Sequence, residues 1–133
     1  MKWGYGMKQV IDTGLPALAQ PFSWAVRAGG LIFTTHGPVL ADGRIDTGPV
    51  ANQTRLTLDN LQRALAAAGA GMQDVAQVLI YLTDIADLPS IDAIYREYFK
   101  PPYPNRSAVA VSALAVPSMR IEIVAYACPG APA

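Results

Sequence analysis

The sequence predicts an α+β domain: a mixed six-stranded sheet with two helices on one face. Three observations carry this. Short apolar, β-branched runs recur along the chain, two longer stretches place apolar residues at helical spacing, and the two kinds interleave in the order β-ββ-α-β-α-ββ. The length, 133 residues, suits one domain over residues 1–133 with a core of its own.

Residues 10–20, which include Gly14 and Pro16, read as a short strand followed by a loop. Residues 22–35 read as a hairpin. Ser23 to Arg27 roughly alternates, Gly29-Gly30 is a turn signal, and Leu31-Ile32-Phe33-Thr34-Thr35 is an apolar β-branched run. Ala41-Asp42-Gly43-Arg44 forms a second turn. A helix then starts near Thr47 to Pro49, with Thr47 as its cap and Pro49 in its first turn. Leu58, Leu61, Leu65 and Ala68 share one face of it, and Gly69 suits its C-terminal end. Residues 75–82 are nearly all apolar and too few for a core helix, so they form a buried strand. Asp87 caps the second helix, whose stripe is Leu88, Ile91, Ile94, Tyr95, Tyr98 and Phe99; Pro101, Pro102 and Pro104 end it. Strands over 107–114 and 120–126 close the chain. Residues 1–6 and 128–133 are expected as loose ends. The strand at 75–82 is apolar on both sides, and two helices can cover only one face of a sheet. Self-association through the open face is therefore expected.

Composition excludes several functions. Apolar residues make up 52% and charged residues 15%, with ten Lys+Arg against ten Asp+Glu. A net charge of zero offers no basic excess to hold a phosphate backbone, which disfavours a nucleic-acid binder. One cysteine, Cys128, excludes an internal disulfide, and one histidine, His36, excludes a His-rich metal site within one chain. No metal site is expected. The first residues lack the apolar stretch of a signal peptide, and no apolar run is long enough to span a bilayer. A cytoplasmic protein without membrane contact is the expectation.

Three clusters can carry chemistry. In Pro104-Asn105-Arg106-Ser107 a long charged side chain opens an apolar strand. The bland reading is a solvated arginine; the functional one is a clamp whose planar guanidinium matches a carboxylate bidentately. In Arg120-Ile121-Glu122-Ile123-Val124, alternation places Glu122 on the face opposite Ile121 and Ile123. A carboxylate in an apolar strand is either paired across the sheet or kept to hold and activate a water. Third, Thr34-Thr35-His36-Gly37-Pro38 ends a strand with a hydroxyl, an imidazole and a glycine. A lone histidine is more often structural than catalytic, although its ordinary pKa makes it a candidate acid or base.

These clusters, with Pro21-Phe22-Ser23-Trp24, Gln53-Thr54, Leu58-Asp59-Asn60-Leu61, Ala68-Gly69-Ala70, Asp74-Val75 and Ile91-Asp92-Ala93-Ile94-Tyr95 through Phe99, resemble the reactive intermediate deaminase family, RidA/YjgF, over residues 20–127. The resemblance implies a chorismate-mutase-like α+β fold and a homotrimer. Its strands meet in a central barrel, and its clefts lie between subunits. It implies hydrolysis of reactive enamines and imines, such as 2-aminoacrylate, to 2-keto acids and ammonia, with neither metal nor cofactor. By position, Arg106 corresponds to the arginine that grips the substrate carboxylate and Glu122 to the residue that positions water. Thr35 stands where the family usually has a serine. Phe22 replaces a usual tyrosine, and His36 and Gly37 replace a small residue and a glutamine. Ala108, next to Ser107, replaces a frequent cysteine. Phe22, Gly37, Ser107 and Ala108 are expected to contact substrate, and His36 to supply the proton for the leaving amine. Two other readings stand beside the deaminase: a small-acid-binding or regulatory protein of the same fold, which Phe22 favours, and a ribonuclease or translation inhibitor, which the zero net charge disfavours.

Overall fold

A computed structural model describes residues 7–130. Its single sheet contains β1 (Gln9–Val10), β2 (Ala25–Ala28), β3 (Leu31–His36), β4 (Val75–Leu82), β5 (Asn105–Ala110) and β6 (Ile121–Ala127). The spatial order is β1-β2-β3-β6-β4-β5. Every neighbouring pair is antiparallel except β4 with β5. Helix α1 (Val50–Ala67) follows the loop after β3, and α2 (Leu88–Tyr98) is the crossover that a parallel pair requires. This is the expected mixed six-stranded α+β architecture.

Alternation builds the core. On β6, Ile121, Ile123, Ala125 and Ala127 are fully buried, while Glu122, Val124 and Tyr126 between them are only partly covered. The buried set meets Leu58, Leu61 and Leu65 of α1 and Ile91, Ile94 and Tyr95 of α2 in one cluster. The leucine stripe of α1 is thus the buried one, and Asp59, Gln62 and Arg63 face water. Gly69, at φ +78°, ends this helix, and the Ala70 amide returns to Leu65 O at 2.8 Å. Arg27 of β2 closes the same end by donating to Ala68 O at 2.6 Å.

Several local expectations are corrected. Thr47 does not cap α1: it is exposed, Pro49 is the residue before the helix, and no side chain caps that end. Asp87 precedes α2 but caps nothing, because a 3₁₀ turn (Ile85–Asp87) runs straight into the helix and leaves Asp87 in helical conformation. The second helical residue, Pro89, also has no N–H to receive a cap. Asp87 instead accepts two bonds from Arg120 at 2.9 Å, and Asp84 caps the 3₁₀ turn through Ala86 N. β5 begins two residues earlier than expected and ends at Ala110, because its partner β4 ends at Leu82, opposite Ala110. β1 precedes Ile11, and its two residues are exposed at the sheet edge. Residues 1–6 and 131–133, expected as loose ends, lie outside the described residues. Cys128 is tied down by its amide, which donates to Asp74 O at 2.9 Å.

Candidate active site

Thr35 and Glu122 come together on the face of the sheet away from the helices. Thr35 of β3 pairs with Val124 of β6, so Glu122 is its diagonal neighbour. The Thr35 hydroxyl donates to Glu122 Oε2 at 3.4 Å, a long bond that leaves most of the carboxylate's acceptor capacity open. Among the described residues Glu122 enters no ion pair.

Both residues line a cleft of about 290 Å³ at the end of β3. Phe22, His36 and Gly37 line it too, with Leu18, Gln20, Trp24, Val39, Ile45 and Met119 among the rest. Its outer wall is the loop before β2, pinned where Trp24 Nε1 donates to Pro16 O at 2.9 Å. Phe22 is 44% exposed and packs edge-on against Trp24, with ring centroids 4.6 Å apart. A Cβ at position 37 would lie 2.6 Å from the Met119 terminal methyl and would displace the end of that flexible side chain.

His36 is 1% exposed and stacked on Trp24, with centroids 5.7 Å apart. Neither ring nitrogen has a hydrogen-bond partner among the described residues. Burial pushes its pKa down to about 3. The ring is therefore neutral near physiological pH, and the expected role of His36 as an imidazolium proton donor is not available to it.

Arg106 lies elsewhere. It is in register with the fully buried Val78, so it projects on the helix side of β5, at the sheet edge. Nη1 donates to Asp92 Oδ1 of α2 at 2.6 Å, and the guanidinium carbon sits 5.0 Å from the Tyr95 ring centroid. Burial, the largest cause, pushes the Tyr95 hydroxyl up to about 12, so the ring beneath the cation stays neutral. Asp92, Arg96, Tyr103 and Pro104 complete this second cleft, of about 350 Å³. Ser107 is exposed beside Leu79, and Ala108 packs against the core. Within one chain, then, Thr35, Glu122, Phe22, His36 and Gly37 share a cleft; Arg106, Ser107 and Ala108 do not reach it.

Two residues not singled out as site residues hold the rims in place. Asn60 Nδ2 donates to Gly37 O at 3.2 Å and Val39 O at 2.9 Å. Gln53 Nε2 donates to Ser118 O at 3.0 Å, and its Oε1 accepts from Arg120 N at 2.7 Å. Both project from the buried face of α1. The available signal was an amide in each case at a position sharing the spacing of the leucine stripe, where an unpaired polar group would be costly.

The six-stranded α+β fold is similar to that of Escherichia coli TdcF, solved with bound serine. That structure aligns with a TM-score of 0.83 at 30% identity, covering 92% of this chain and 99% of TdcF. The mitochondrial protein mmf2 of Schizosaccharomyces pombe is 37% identical, over 87% of this chain and 94% of its own length. The human 2-iminobutanoate/2-iminopropanoate deaminase is 35% identical, over 93% and 92%. The family model described as Endoribonuclease L-PSP matches residues 14–128, and the chain belongs to this family, that of RidA and YjgF. No helix among the described residues is long and apolar enough to cross a membrane.

Proposed function

We propose that the protein hydrolyses imines and enamines of small amino acids to 2-keto acids and ammonia. The observation that carries this reading is the Thr35–Glu122 pair, a carboxylate with free acceptor capacity in a largely apolar cleft. Glu122 accepts a proton from a water, whose oxygen attacks the C=N carbon. The proton passes to the nitrogen and gives a carbinolamine; Glu122 then takes the hydroxyl proton and returns it to the amine, the C–N bond breaks, ammonia leaves, and the carbinol oxygen becomes the keto oxygen. No cofactor is needed for this balance. Serine bound to TdcF and the name of the human relative are in keeping with a ligand of amino-acid shape. Glu122→Gln keeps the shape and removes the base. It is expected to slow keto-acid release from imines made in situ by an amino acid oxidase on the order of 100-fold. Retention of the wild-type rate would refute the assignment.

The site is completed between copies of a homotrimer. Phe33, Leu79, Val109, Val124 and Tyr126 leave an apolar sheet face without helix cover, and Arg106 stands on an edge strand, open to a neighbouring copy. The substrate carboxylate is held by Arg106 of one copy while Glu122 of the next positions water. Leu79, flanked by Val124 and Ser107, is central on this face. Leu79→Glu should give a monomer by light scattering and lose imine turnover with it; an active monomer would contradict an intersubunit site. The cytoplasm is the compartment assigned in this reading.

The observation that favours a binding protein instead is that Asp92 already occupies one prong of Arg106. Binding of 2-ketobutyrate without acceleration of imine hydrolysis would decide for it.

A further inference from the structure

We infer that the cleft selects imines whose amino-acid side chain is bulky and apolar, branched or aromatic, over the two- and three-carbon imino acids. This rests on the deaminase reading and names the substrate class of the same site. The first observation is size. About 290 Å³ approaches the lower end of cavities that take drug-sized ligands, whereas a three-carbon imino acid has only six non-hydrogen atoms. The second is chemistry. Away from Thr35, Glu122 and the Gln20 amide the walls are mainly apolar, with Leu18, Trp24, Val39, Ile45, Val116 and Met119. Trp24 presents its ring between Phe22, met edge-on, and His36, stacked behind. His36 is buried and makes no hydrogen bond among the described residues, so the ring adds no fixed polar contact to this wall.

The third observation is a depth device. Gly37 leaves room for the Met119 terminal methyl, which a Cβ at position 37 would meet at 2.6 Å. Met119 is itself buried, and the backbone on both rims is held by Asn60 and Gln53. The apolar space is therefore set by rigid backbone and one flexible thioether. A methyl-sized substrate side chain leaves this space unfilled. A leucine- or phenylalanine-sized one fills it, and each methylene taken from water is worth about fourfold in binding.

The test is a side-chain series. Imines are generated in situ from alanine, 2-aminobutyrate, norvaline, leucine and phenylalanine, and kcat/KM for keto-acid release is measured. A rise of about tenfold or more from alanine to leucine or phenylalanine is expected. A flat or falling series overturns the inference and indicates that a neighbouring copy fills the apolar space. Met119→Trp should lower the leucine-to-alanine ratio by about tenfold, reading selectivity and not folding. If no imine is hydrolysed, the deaminase reading fails on its own. Calorimetric binding of pyruvate, 2-oxobutanoate and 4-methyl-2-oxopentanoate then reads size preference without turnover. Tighter binding of the longest acid supports the inference; equal or weaker binding overturns it.

Discussion

Arg106→Lys is expected to lower kcat/KM for imine hydrolysis roughly 10- to 100-fold, although the positive charge is kept. The reason lies in geometry. The guanidinium already spends Nη1 on Asp92 and lies over the Tyr95 ring, and its remaining N–H groups still form a planar donor edge. That edge can hold a substrate carboxylate by parallel bonds. A lysine ammonium is a point charge with three donors and no plane, so Asp92 and the substrate would compete for it. The loss should appear mainly in KM and in the affinity for 2-ketobutyrate. Because Arg106 is at a partly exposed edge, the melting temperature should change little. Wild-type affinity for 2-ketobutyrate in Arg106→Lys would count against the clamp.

The second large effect is on acid stability. The folded pKa of His36, about 3, lies below the ordinary histidine value of 6.5 that serves for the unfolded chain. As pH falls below about 6.5 the unfolded chain takes up a proton that the folded chain refuses, so stability drops until the pH reaches about 3. A shift of this size corresponds to at most about 5 kcal/mol over that window. In His36→Leu the term is absent. Its denaturant midpoint, taken at fixed protein concentration, should therefore fall much less than wild type between about pH 7 and pH 4. At neutral pH the substitution removes two unpaired ring nitrogens and should be close to neutral in stability. Since the chain has one histidine, its ring resonances can be followed without assignment. A titration of the folded protein near pH 6 would refute the buried, neutral ring.

The helices were legible because they rest on periodicity that packing then uses, as the buried Leu58, Leu61 and Leu65 show, and β4 was legible as an apolar run too short for a core helix, with Val78, Ile80 and Leu82 buried. Alternation along the last strand placed Glu122 opposite Ile121 and Ile123, which are buried. The N-terminal caps were not legible. Whether Thr47 or Asp87 can reach an amide depends on backbone angles one residue away, which a side-chain pattern does not encode. The end of β5 was set by the length of β4, a non-local partner. The site was legible as residue types but not as a constellation. The pattern does not reveal that Arg106 shares a face with Val78, and Glu122 the other face, until the register across three strands is known. His36 illustrates the same limit: its chemistry suggested a proton carrier, and its burial against Trp24 makes it a neutral aromatic plate.

Asn60 and Gln53 stand two helical turns apart on α1 and grip opposite rims of the cleft, the segment after β3 and the segment before β6. The two rims therefore have one common abutment. Neither can swing outward alone without breaking bonds to buried amides, and the gap between them is gauged by the rise of a helix. Adaptation to ligands of different girth then falls to side chains, chiefly the Met119 thioether and the Phe22 ring, and not to the backbone. The aperture behaves as a fixed frame with soft packing, in which selectivity is adjustable by single substitutions while the spacing of the reacting groups stays the same.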